Sequence, residues 1–112
     1  MSDTRAKSDI LQGMLDMLVL KVVAHEPLHG YGVAQRLRLL SQDRLQIPQG
    51  SLYPALHRLE NRGLLKSVWR DTATGREAKF YELTAKGRRR LEEEVSGWRE
   101  LSVAISMILG PA

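Results

Sequence analysis

A mainly α, α+β fold is predicted for this chain, in which three helices and a β-hairpin close one core and a long further helix is left outside it. Three observations point there. Apolar residues recur at three- and four-residue spacing in four separate segments. Two β-rich runs flank a loop of turn formers and charges. At 112 residues, 43% hydrophobic and 27% charged, the chain can bury one modest core and is too short for a catalytic domain plus a separate regulatory one. With 9 Gly and 4 Pro it lacks the composition of disordered or fibrous sequences.

The first helix is expected to start at Ser8 as N-cap, with Asp9 in its first turn and Leu11, Met14, Leu15, Leu18 and Val22 on one stripe, and to end near Pro27. A second helix over about residues 31–41 turns Val33, Ala34, Leu37 and Leu40 inward and Gln35, Arg36 and Arg38 outward. Residues 44–47 alternate, with Leu45 and Ile47 apolar, and read as a short strand. Pro48, Gly50 and Ser51 then punctuate the chain. Ser51 as N-cap of a third helix places Pro54 among the first positions, whose N–H groups have no intrahelical acceptor. Asn61, Arg62 and Gly63 end that helix, Gly63 supplying a left-handed turn.

Residues 64–70 and 78–84 are the strands of the hairpin, joined through residues 71–77. With Ser67 opposite Tyr81, Leu65 meets Leu83 and Trp69 meets Lys79 on one face, while Lys66 meets Glu82 and Val68 meets Phe80 on the other. That register matches apolar with apolar and opposite charges with each other. Thr84 caps a final helix in which Leu91, Val95, Trp98, Leu101, Ile105 and Ile108 recur every three or four residues, until Gly110 and Pro111 stop it. Helix, helix, short strand, helix, hairpin is the order of a winged helix-turn-helix with a β-hairpin wing. Residues 8–84 form that unit and residues 85–110 an additional long C-terminal helix. The first unit can close on itself, so the stripe from Leu91 to Ile108 is left for another subunit and reads as a dimer interface.

Charge is unevenly distributed. Residues 1–90 hold 16 Lys/Arg against 9 Asp/Glu, a net +7; residues 91–112 hold Arg99 against Glu92, Glu93, Glu94 and Glu100, a net −3. A basic body with an acidic tail helix suits a polyanion-binding domain joined to a surface of another kind. The absence of cysteine excludes disulfides, thiolate metal sites and a cysteine nucleophile. Residues 1–9 lack the order of a signal peptide, and the longest apolar stretch, residues 14–24, carries Asp16 and Lys21 and reads as a core helix. The expectation is a cytoplasmic protein with no membrane segment, no catalytic residues, no cofactor and no metal.

On a helical wheel Leu52, Ala55, Leu56 and Leu59 share one side of the third helix, and Gly50, Pro54, His57 and Asn61 lie opposite. Ser51 and Arg58 flank that outer face on one edge and Tyr53 on the other. Small residues followed by His57, Arg58 and Tyr53 suit entry into a DNA major groove; an ordinary solvated helix face is the alternative. On the hairpin, Arg70, Arg76 and Lys79 gather around a glycine-containing tip that can reach the neighbouring backbone or minor groove, or simply be a soluble loop.

His29-Gly30-Tyr31-Gly32, the run Gly50-Ser51-Leu52-Tyr53-Pro54-Ala55-Leu56-His57-Arg58-Leu59-Glu60 with Gly63-Leu64, and Gly75-Arg76 followed by Phe80-Tyr81-Glu82-Leu83-Thr84 and Gly87 resemble the PadR family of bacterial transcriptional regulators. The resemblance extends over about residues 10–91. It implies a repressor that binds double-stranded operator DNA as a homodimer through the C-terminal helix. By position it places Tyr31, Gln49, Ser51, Tyr53, Pro54, His57 and Arg58 at or beside DNA, with Arg76 on the wing; Tyr31 has interhelical packing as an equal alternative. Some relatives respond to flat aromatic compounds, for which Trp98 and Trp69 are candidate walls, with plain packing as the other reading. The single helix after the wing departs from larger family members and implies a smaller interface, or one that also uses the first helix.

Two other patterns carry less. His25-Glu26-Pro27-Leu28-His29 fits the zinc-protease string, but that chemistry needs both histidines on one helical face, and Pro27 disfavours helix at Glu26. Arg88, Arg89 and Arg90 lie four residues before Glu92, Glu93 and Glu94 and read as a solvated helix face. The rival to DNA binding is a winged-helix protein–protein interaction module whose final helix recruits a different chain.

Overall fold

The computed structural model describes the backbone of residues 4–111 and the side chains of residues 13–111. The order is α1 (Thr4–His25), β1 (Leu28–His29), α2 (Gly30–Leu40), α3 (Gln49–Asn61), β2 (Leu65–Asp71), β3 (Glu77–Leu83) and α4 (Ala85–Leu109). This is the winged helix-turn-helix expected from the pattern, with a three-stranded antiparallel sheet ordered β1-β3-β2.

α1 lies at the centre and touches α2, α3, α4 and β3. A helix surrounded in this way must be apolar around most of its circumference. Met17, Val19, Leu20 and Val23 are therefore buried beside Leu15 and Val22, which a one-stripe reading does not capture. Ser8 falls inside α1, which begins at Thr4, so it is not the start of the helix. The side-chain roles expected for Ser8, Asp9 and Leu11 lie outside the described residues. α1 stops at His25, two residues before Pro27.

The short strand is Leu28–His29, not residues 44–47. Leu28 pairs with Tyr81 and His29 with Phe80 along the edge of β3. Residues 44–47 have no strand to join: Gln42 and Asp43 turn the chain through left-handed φ values of 54° and 65°, and Leu45 is tied back by its N–H to Ser41 Oγ at 2.9 Å. Ile47 still packs on the core from this loop.

His29 caps α2, its Nδ1 accepting the Gly32 N–H at 2.9 Å, so the helix opens one residue before Tyr31. Val33 and Leu37 are buried as expected, but Leu40 is 63% exposed because the end of α2 projects past the edge of the core. α3 also begins early. Pro48 holds an extended backbone and its carbonyl accepts the N–H groups of Ser51 and Leu52, so Ser51 is the third helical residue rather than the N-cap. Pro54 consequently lies in the second turn, where it removes the N–H that would meet the carbonyl of Gly50. Both residues are exposed, so water can reach that side of the turn.

Leu52, Ala55, Leu56 and Leu59 form the buried side of α3. Gly63, at φ 76°, closes the helix as expected, with Leu64 N–H bonded to Leu59 O. The hairpin has the predicted register throughout, carried one pair further at the tip by Asp71 and Glu77, while Leu64 and Thr84 fall just outside the strands. Thr84 caps α4, its Oγ1 accepting the Gly87 N–H at 2.9 Å and donating to Gly63 O. Gly87 lets α4 lie against the Leu64 carbonyl, which a Cβ at this position would strike. Of α4 only Gly87 and Leu91 are buried. Full burial of Leu20, Leu52, Leu56, Leu59 and Leu65 contributes about 1.5–3 kcal/mol each to the core that holds these elements.

Candidate nucleic-acid interface

The outer face of α3, the start of α2 and the inner side of the wing enclose an open groove of about 720 Å³. Its helical walls are Gly30, Tyr31, Tyr53 and His57; its wing wall includes Thr72, Thr74, Arg76 and Lys79. These residues come together because three local features hold. His29 ends β1 and caps α2 at once, which fixes Tyr31 at the groove mouth. Gly30 carries no Cβ, and an added one would collide with the ring of Tyr53. Tyr53 therefore lies directly over the α2 N-terminus. At the wing, Thr72 N–H bonds to Arg76 O at 2.7 Å and Gly75 takes φ 86°, which tightens the tip and carries Arg76 on it.

The candidate DNA contacts divide by this geometry. Tyr31, Tyr53, His57, Arg76 and Lys79 line the groove. Gln49, Ser51 and Pro54 are exposed on the first half of α3, next to it. Arg58 is turned away: its Nη2 bonds to Asp16 Oδ1 of α1 at 2.7 Å, and both side chains are largely covered. Arg70 lies on the opposite face of the wing, paired with Glu82 at 3.2 Å and stacked over Phe80 at 5.3 Å. Lys79 lines the groove but its Nζ points to Glu60 Oε1 at 3.0 Å. Among the described residues Arg76 is left without an ion-pair partner.

Glu60 has no role among the sequence expectations, yet it joins α3 to the wing. Ser67 Oγ donates to its Oε2 at 2.6 Å while Lys79 holds its other oxygen. The Ser67 hydrogen bond, opposed by partial burial and reinforced by Lys79, holds the Glu60 carboxyl below the usual carboxylate range. Its hydrogen bond to Glu60 raises Lys79 above the usual lysine range, and burial pushes the Tyr81 phenol up. His29, Thr72 and Thr74 also line the groove, although none is an expected DNA contact. Only the turn chemistry of the loop pointed to the two threonines.

On the other side of the molecule, α4 extends beyond the core. Leu91 is only 7% exposed and belongs to the chain's own core, packed on the winged-helix unit, so it is not available as a stripe residue. Val95 is half-buried; Trp98, Leu101, Ile105 and Ile108 are exposed by 38%, 53%, 41% and 83%. Trp69 is exposed on β2 of the wing. His25 ends α1, His29 sits in β1, and Glu26 is paired with Arg36 at 2.8 Å, so the two histidines do not share a helical face. Among the described residues no cluster of three or more metal-ligating side chains occurs, and no helix is long and apolar enough to cross a membrane.

A helix-lined groove closed on one side by a β-hairpin, on a core of three packed helices, is the architecture of a winged helix-turn-helix transcriptional regulator. The chain belongs to the Transcriptional regulator PadR-like family, whose model matches residues 19–93. It is 37% identical over 84 residues to Transcriptional regulator Rv3488 of Mycobacterium tuberculosis, which covers 75% of each chain. Among solved structures, a PadR family transcriptional regulator from Eggerthella lenta superposes with a TM-score of 0.76 at 32% identity, covering 98% of this chain and 96% of that one. A PadR-like transcriptional regulator from Bacillus cereus superposes with a TM-score of 0.80 at 26% identity, covering 93% and 99%. Proteins of this family are transcriptional regulators.

Proposed function

We propose that this regulator is a repressor that binds a two-fold-related operator in duplex DNA as a homodimer, with residues 8–84 as the DNA-binding unit and the free part of the α4 stripe, from Val95 to Ile108, as the main contact between protomers. The observation that carries the reading is the groove, which presents Tyr31, Tyr53 and His57 from the helices against Arg76 from the wing. Phenol, imidazole and guanidinium groups can all donate to base or phosphate oxygens. In such a complex the first half of α3 enters the major groove with Gln49, Ser51, Tyr53 and His57 towards base edges, and Arg76 meets the backbone or the minor groove. A symmetric dimer presents two α3 helices to successive major grooves about 34 Å apart. Operator occupancy then blocks polymerase in the cytoplasm.

Replacing Arg76 by Ala tests the wing. Loss of one phosphate contact weakens binding to all sequences and flattens the plot of log affinity against log salt by about 0.9. An unchanged affinity and slope removes Arg76 from the interface.

A further inference from the structure

We propose that Glu60 is a positioning and specificity-determining residue: by holding Ser67 and Lys79 together it fixes the wing against α3 and withholds the Lys79 charge from DNA phosphates. The inference rests on the DNA-binding reading above.

Glu60 follows Tyr53 and His57 on α3 at spacings of seven and three residues, which keeps it on the side of the helix nearest the wing. Its two carboxylate oxygens are taken by two different strands: Ser67 of β2 at 2.6 Å and Lys79 of β3 at 3.0 Å. In the hairpin register Ser67 faces Tyr81 and Trp69 faces Lys79, so the two partners sit diagonally on one sheet face. A two-point clamp of this kind restrains both the separation and the tilt of the wing relative to α3, where a single contact would leave a pivot.

The electrostatic consequence follows from the groove. Lys79 lines it, so an unpaired ammonium there would bind any phosphate backbone and add affinity that carries no sequence information. Specificity is a difference of affinities, and neutralising a groove cation lowers the sequence-independent part. The opposite face of the hairpin repeats the arrangement, with Glu82 taking both Lys66 and Arg70. Of the cations Arg70, Arg76 and Lys79 around the tip, carboxylates hold two, and the tip cation Arg76 is left for DNA.

The test compares wild type, Glu60→Gln, Lys79→Gln and the double variant in binding an operator and a random-sequence duplex across about 50–200 mM salt. Glu60→Gln keeps an oxygen for Ser67 but frees Lys79. It should bind the random duplex more tightly, steepen the salt slope by about 0.9, and reduce the operator-to-random affinity ratio about five- to tenfold. Lys79→Gln should reduce the ratio through the loosened wing and leave the salt slope where it was. In the double variant the extra random-duplex affinity of Glu60→Gln should vanish while the ratio stays low. A slope flattened by about 0.9 in Lys79→Gln makes Lys79 a direct phosphate contact and overturns the proposal. So does a folded Glu60→Gln protein with unaltered ratio and slope, which reduces Glu60 to a structural role. If Glu60→Gln does not fold, the slope of Lys79→Gln still decides. A wild type that prefers no duplex sequence defeats the DNA-binding reading itself, a result distinct from either.

Discussion

Gly30→Ala should separate DNA recognition from stability. The added methyl would occupy the space now held by Tyr53 Cε1, with Tyr53 Cζ and Oη each 2.9 Å away. The three nearest atoms all belong to the far end of one side chain, and that side chain borders an open groove, so the ring can swing outward without moving backbone. Position 30 opens α2 with ordinary negative φ, where Ala is acceptable. The net stability change is therefore under about 1 kcal/mol, a melting shift of no more than about 4–8 °C for a domain of this size. Recognition pays instead: displacing one base-reading side chain costs about 1–3 kcal/mol, or about five- to 150-fold in operator affinity. Differential scanning calorimetry and a fluorescence-anisotropy titration measure the two effects, and Tyr53→Ala completes the cycle. Because both changes act on one ring, Gly30→Ala added to Tyr53→Ala should cost almost nothing further. Operator affinity unaltered in Gly30→Ala, or full additivity in the double variant, refutes the argument that Gly30 serves Tyr53.

Gly87→Ala should do the reverse, since the obstacle is the Leu64 carbonyl together with Leu83 Cδ1 at 2.9 Å. Overpacking against backbone costs about 1–3 kcal/mol and better helix propensity returns at most about 1, so thermal unfolding should show a net loss. In the proposed homodimer Ile105→Glu, at a position 41% exposed in the single chain, should raise the dissociation constant by at least about tenfold in sedimentation equilibrium while leaving the fold intact. Acid should weaken the wing clamp. Glu60 has a folded pKa below its ordinary 4.5, so its stabilising effect is complete above that value and is lost as pH falls through the lowered one. The stability gap between wild type and Glu60→Gln, measured by urea unfolding, should be full at neutral pH and close as pH falls below 4.5 through the lowered value.

The parts of the fold legible in the sequence are those set by local chemistry. The hairpin register follows from cross-strand pairs such as Lys66 with Glu82 and Val68 with Phe80, and a one-residue slip would have reversed both faces. The inner face of α3 and the caps at Thr84 and Gly63 are equally local. What escaped depends on distant partners. β1 is a strand only because the edge of β3 is there to receive two residues. Arg58 looked available to DNA until the fold brought Asp16, 42 residues earlier, to its guanidinium. Lys79 and Glu60 likewise meet only when the wing folds onto α3. Leu91 and Ile105 occupy the same stripe, yet only the first reaches the core, because α4 leaves the winged-helix unit after about three turns.

The central claim, sequence-specific recognition by a symmetric pair of α3 helices, is tested most directly by selecting binders for the purified protein from a random duplex library at physiological salt. Enrichment of an inverted repeat whose half-site centres lie about one helical turn, or a multiple of it, apart is the predicted result. Failure to enrich any sequence, with binding that disappears as salt rises, would contradict it and leave the groove with non-specific attraction alone.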